Sequence, residues 1–296
     1  MEIIDLHFLG HEHTIAAFLV ESTEGLLLFE TGPYSTFPTL KSQLRQLGHS
    51  IDDIKHVFLT HIHLDHAGAA WALAERGAQI YVHPFGYSHM KDPSKLLASA
   101  TRIYGDDMNR LWGTLKPIDA SQLNEVAHES EYEIGGKRIK AWHTPGHAVH
   151  HIAWQVEEGL IAGDVAGVRI HGGPVVPPCP PPDIQLEDWQ ESIQLIRQIN
   201  PAALYLTHFG RVEKKDIDTH LNRLEEKLTD WANWMKPHYE AGHQPAELVA
   251  DFQEYVRQQL LSEGLPEAEI KYYESANPSD MSVAGLMRYW RKKESA

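Results

Sequence analysis

Cysteine is almost missing from this chain: Cys179 stands alone among 296 residues. No intrachain disulfide can form, which excludes a disulfide-stapled secreted scaffold. Basic residues are also short, 26 Lys and Arg against 41 Asp and Glu, for a formal net charge of −15. Such a surface repels phosphate backbones and argues against a nucleic-acid partner. No apolar run reaches the roughly 18 residues of a membrane-spanning helix. The first residues, MEIIDLHFLGHEH, lack the basic start and apolar stretch of a signal peptide. These absences lead us to expect a cytoplasmic protein with a small-molecule substrate, no nucleic acid and no membrane; a homodimer is compatible with them but not readable.

Histidine, by contrast, abounds, with 20 copies. The segment LTHIHLDHAG (59–68) places His61, His63, Asp65 and His66 directly after an apolar run. One such motif in a histidine-rich chain could be chance, so the elements around it decide its weight.

Short apolar runs at 3–10, 14–20 and 25–31, with Gly, Ser and Thr nearby, read as a strand meander. A helical pattern over 37–48 ends at Gly48. The run 55–60 reads as a strand feeding into His61, 67–77 as a helix closed by Gly77, and 79–83 as the next strand. A helical insert is expected at about 93–112, within a less regular stretch covering 84–123. Strands return at 137–144, 151–157 and 159–164. The proline-rich segment 172–183 excludes helix and central strand and reads as a stiff surface connector, with a pocket-lining loop as the alternative. A helix at 186–200 and a strand at 202–210 follow. Three further helices are expected at 212–235, 245–264 and 279–293, with Trp231 and Trp234 on a packed face.

Three more candidate ligands fall at strand ends beside glycine: His147 in HTPGH, Asp164 in AGDV and His208 in LTHFG. Four strand ends, each delivering His or Asp, would bring seven ligands to one rim of a sheet. Imidazole and carboxylate without thiolate suit two divalent metal ions, zinc first, with iron or manganese as alternatives. Seven ligands exceed one tetrahedral ion but suit two that share a carboxylate. Such a pair can hold a hydroxide at neutral pH and polarise a carbonyl or phosphoryl oxygen, which is hydrolytic chemistry.

THIHLDHAG, TPGH, AGD and THFG, in this order, make the chain resemble the metallo-β-lactamase superfamily over roughly residues 1–210. The resemblance implies an α/β fold, the αβ/βα sandwich of two mixed sheets flanked by helices. It implies His61, His63 and His147 on one metal, Asp65, His66 and His208 on a second, and Asp164 between them. It also gives Asp65 a catalytic part in positioning or shuttling a proton. The domain expected is a catalytic unit over 1–211, carrying the insert, followed by a helical extension over 212–296 packed on it. That extension resembles the glyoxalase II-like branch of hydrolases. Two departures stand out: Glu30-Thr31-Gly32 replaces the usual Asp-Thr-Gly, and VAGVRIHGG (165–173) replaces the glutathione-contacting segment. Glutathione thioesters are therefore not expected.

The function expected is hydrolysis of a small ester, thioester or lactone through a metal-bridging hydroxide. The rivals are phosphodiester or phosphotriester hydrolysis and, in another class, iron-dependent persulfide dioxygenase-like chemistry. Other histidines are left outside the site: His11 and His13 as a surface or hairpin pair, His150 and His151 as loop-orienting or packing residues, His143 as a residue before the TPGH turn that strand alternation turns toward or away from the site, and His83, His89 and His171 as loop histidines that are exposed or, as the alternative, border the pocket.

Overall fold

The computed structural model describes residues 1–295. The fold is α/β, with two mixed sheets flanked by helices, as expected. Contacts divide the chain into two compact units, Met1–His143 with His150–Ala162, and Thr144–Val149 with the residues from Gly163 onward.

The first unit opens with an antiparallel meander of β1 (Glu2–Asp5), β2 (Ala16–Ser22) and β3 (Gly25–Phe29). Its sheet continues in parallel through β4 (Ile54–Phe58), β5 (Gln79–Val82) and β6 (Leu123–Glu125). Parallel neighbours need crossovers. These are α1 (Phe37–Gln46), then α2 (Leu64–Ala67) with α3 (Ala70–Ala74), then α4 (Pro84–Lys91), α5 (Ser94–Tyr104) and α6 (Met108–Leu111). A second ladder, β7 (Glu131–Ile134), β8 (Lys137–His143), β9 (Ile152–Val156) and β10 (Gly159–Ile161), is antiparallel throughout.

Both faces of the central strands are covered, which is why they read as solid apolar runs. On one face Phe58 stacks between Phe29 at 4.7 Å and Tyr81 at 4.4 Å, and meets Trp154 of β9 edge-on at 5.0 Å. The Trp154 indole donates to the Leu59 carbonyl at 2.9 Å, so the buried ring carries no unmet N–H. On the other face Leu40, Leu44, Trp71 and Leu73 close a core with Ile54, Val57 and Ile80.

The single helix expected over 67–77 is split into α2 and α3. The Ala69 amide turns away to the Gly32 carbonyl at 3.0 Å and the Thr31 hydroxyl at 3.2 Å, which interrupts the helical ladder. The insert expected at about 93–112 likewise breaks, into α5 and α6, with Gly105 at φ +51° ending α5.

The second unit contains α7 (Leu186–Ile199), the antiparallel hairpin β11 (Ala203–Leu206) and β12 (Gly210–Glu213), then α8 (Ile217–Glu240), α9 (Pro245–Ser262), α10 (Ile270–Ala276) and α11 (Ser279–Ser295). The helix expected from 212 thus starts after a hairpin strand, and α10 has no counterpart in the sequence reading. Trp231 meets Phe252 edge-on at 5.1 Å and Trp234 lies 5.2 Å from the same ring, so this pair packs as expected.

The proline-rich segment is not a surface connector. Pro174 to Cys179 are buried, and the carbonyls of Pro174 and Pro177 are taken by the C-terminal helices. The Tyr273 hydroxyl donates to Pro174 at 2.6 Å, and the Asn277 amide donates to Pro177 at 3.1 Å. Gly285 is required where α11 crosses this strap, since a Cβ there would sit 1.9 Å from the Cys179 carbonyl oxygen. Its prolines bring no N–H to satisfy, and the Val176 amide donates to the Val168 carbonyl at 2.9 Å, so the segment tolerates burial once its carbonyls find donors.

Candidate metal centre

In the first unit the motif runs from the turn after β4 into α2, with His61 and His63 in the turn and Asp65 and His66 in the helix. His61 and His66 are buried, whereas His63 and Asp65 are partly exposed. The sheet fixes this turn from both sides: the Ile152 amide donates to the Thr60 carbonyl at 2.7 Å, and Thr31 donates from its amide and its hydroxyl to the His66 carbonyl at 2.8 and 2.9 Å.

Glu30 is fully buried beneath this turn, at φ +64°. Its Oε1 accepts the Thr60 hydroxyl at 2.5 Å and faces His66 Nδ1 at 2.9 Å, while Oε2 accepts the Thr60 amide at 3.3 Å. A carboxylate only accepts, so His66 Nδ1 carries the proton and Nε2 keeps its lone pair. The same logic reaches His61. The Thr60 hydroxyl spends its proton on Glu30 and accepts from His61 Nδ1 at 3.0 Å, leaving the lone pair on His61 Nε2. Glutamate in place of the usual aspartate therefore still sets the tautomers of two candidate ligands.

The donor atoms converge. His61 Nε2 lies 2.8 Å from His63 Nδ1, the His61 and His66 rings are 3.9 Å apart between centroids, and Asp65 Oδ2 is 3.6 Å from His66 Nε2. Imidazoles and a carboxylate with lone pairs aimed at one another suit a divalent cation.

The second unit holds His147, Asp164 and His208, all buried. His147 Nδ1 faces the Pro178 carbonyl at 2.9 Å, which again puts the proton on Nδ1 and the lone pair on Nε2. The two Asp164 oxygens serve different partners: Oδ2 lies 3.4 Å from His147 Nε2, and Oδ1 lies 3.6 Å from His208 Nε2. Helix α7 supports this cluster. Its Trp189 indole donates to the Val165 carbonyl at 2.7 Å, and Ser192 donates to Pro145 at 2.6 Å. Gly146 lies against α7 at φ +129°, where a Cβ would come within 2.3 Å of Trp189.

Several histidines depart from the sequence reading. His150 and His151 are buried beside His61, with ring centroids 6.1 and 5.2 Å away, so they flank the first cluster. Their place on the turn entering β9, next to the Thr60 bond, is a tertiary fact with no local signal. His83 is buried rather than exposed; it stacks on His143 at 4.4 Å, and burial, with His143 beside it, lowers its pKa to about 4. His171 is exposed, as expected, and pairs with Glu269. The lone thiol, Cys179, is buried, which raises its pKa and keeps it from acting as a nucleophile or ligand.

The family model described as metallo-beta-lactamase superfamily matches residues 12–208. The metallo-beta-lactamase fold-containing protein ST1585 of Sulfurisphaera tokodaii is 31% identical over 60% of this chain and 69% of its own. The probable metallo-hydrolase YqjP of Bacillus subtilis is 23% identical over 72% of this chain and 74% of its own. Among solved structures, the family protein TTHA1429 of Thermus thermophilus aligns with TM-score 0.67 at 19% identity, over 95% of this chain and 89% of that one.

Proposed function

The chain belongs to the metallo-β-lactamase superfamily, and from that premise we propose that it is a dinuclear metallohydrolase of a small ester, thioester or lactone. In this reading His61, His63, Asp65 and His66 act with His147, Asp164 and His208 to hold two divalent ions, zinc first. Bound there, the ions supply Lewis acidity and lower the pKa of water toward neutrality.

The observation that carries the reading is Asp164, whose two oxygens each face a different histidine. A carboxylate so flanked suits two cations better than one. Glu30 supports it from the other cluster by fixing His61 and His66 as Nε2 donors. The residues of this chain then divide the remaining work. The buried histidines would exclude bulk water from the donor atoms, and partly exposed Asp65, with Oδ2 3.6 Å from His66 Nε2, would accept or return a proton there.

The test is turnover of a panel comprising a phenyl ester, an acyl thioester, a γ-lactone and a phosphodiester. Wild-type protein should cleave one of the three carbonyl substrates, and His208→Ala should lower kcat/KM by about 100-fold or more. Cleavage of the phosphodiester alone would move the reading to phosphorus. Silence on the whole panel, with iron in the purified protein, would replace hydrolysis by redox chemistry.

A further inference from the structure

Apart from the ligand clusters, the second unit contains a cavity of about 560 Å³ between the 169–175 loop, the start of α8 and the α9–α10 turn. That volume suits a small organic ligand.

Its charges are sorted. Of three wall carboxylates, Glu269 is engaged by His171, and Glu263 lies 2.5 Å from the ammonium of buried Lys227. The third, Asp216, is exposed. Arg169 and Arg223, in contrast, have no carboxylate partner among the described residues. Arg169 is fixed by its own loop, with Nε 3.2 Å from the Gly173 carbonyl and Nη2 3.3 Å from that of Gly172. Two of its five donors are thus used for positioning, and the rest remain for a ligand. Arg223 shares a helix face with Thr219 and His220, each of which also lines the cavity. Val175 and Leu265, both buried, give the cavity an apolar floor. His220 is neutral at ordinary pH, since burial lowers its pKa to about 4; its Nε2 donates to the Ala166 carbonyl at 2.7 Å and so fixes the wall without adding charge.

In a chain of net charge −15, this cavity is lined by two guanidiniums that have no carboxylate partner among the described residues, while two of its three wall carboxylates are engaged. We propose that this cavity binds a small molecule bearing an oxyanion, phosphate or carboxylate, held by Arg169 and Arg223 over the floor formed by Val175 and Leu265. Guanidinium forks match either oxyanion in a bidentate manner. The proposal stands on the second unit alone and does not require the hydrolytic reading.

Calorimetric titration of the metal-loaded protein with inorganic phosphate, and separately with succinate, tests it. At least one should bind saturably, and the tighter of the two identifies the oxyanion. Arg223→Gln, an exposed change, and Arg169→Lys should each weaken that binding about tenfold or more. Lys55→Gln, at the surface of the first unit, should leave it unchanged. No saturable binding of either anion would overturn the proposal. So would equal affinity in Arg223→Gln, because the anion would then reside on the metals or elsewhere.

Discussion

At the scale of single residues, Glu30 governs the first cluster. Oε1 meets two donors and Oε2 a third, and each of these three contacts requires an acceptor. An amide in its place must turn an NH2 toward Thr60 or His66 whichever way it flips. Glu30→Gln should therefore lower metal affinity about 10-fold or more while keeping the side-chain volume. Competition against a chromophoric chelator reads this directly, and unchanged affinity would show that the tautomers are set elsewhere. This residue also marks how far the sequence could be read. The seven candidate ligands announce themselves by residue type and by position at strand ends. Glu30 was legible only as a departure from a familiar triplet. His150 and His151 were not legible at all, because their burial beside His61 depends on the register between β8 and β9.

At the scale of elements, most strands and long helices were legible from apolar periodicity. What escaped were the pieces whose structure is imposed by tertiary hydrogen bonds. The 67–77 helix breaks because Thr31 and Gly32 take the Ala69 amide. The proline segment is buried because Tyr273 and Asn277, about 100 residues later, supply its donors. That second case makes a prediction. Gly285→Ala drives a methyl into the Cys179 carbonyl, and the backbone on both sides must shift. The loss should be roughly 2 kcal/mol, within the usual range for overpacking. Urea unfolding would show it as a lower midpoint with the same slope; an unchanged midpoint would mean that α11 and the strap are not packed as described. Gly146→Ala should act on the second cluster itself, since both its φ and the Trp189 contact resist a side chain. Its expected signature is a loss of bound metal greater than that caused by Gly285→Ala.

At the scale of the whole molecule, acidity should unfold the protein partly through buried neutral histidine. The pKa of His220 is lowered from 6.5 to about 4 by burial. Below pH 6.5 the unfolded chain takes up a proton here that the folded chain refuses until about pH 4. Stability should thus fall as pH falls through that window, by about 2 kcal/mol between pH 6.5 and 5 from this group. His220→Gln, which retains a donor for the Ala166 carbonyl, should flatten that part of the profile, as followed by denaturation midpoints. A profile with undiminished slope would assign the acid sensitivity to other groups. The two compact units are each assembled from separated chain segments. Contacts rather than composition draw that division, so a left-to-right reading carries little signal for it.

The central claim is that Asp164 is shared by two cations. Metal content per chain, measured by plasma mass spectrometry on protein purified without added metal, tests it most directly when wild type and Asp164→Ala are run together. The account predicts close to two metals in wild type and a loss of both or nearly both in the variant. One metal per chain in each protein would contradict it.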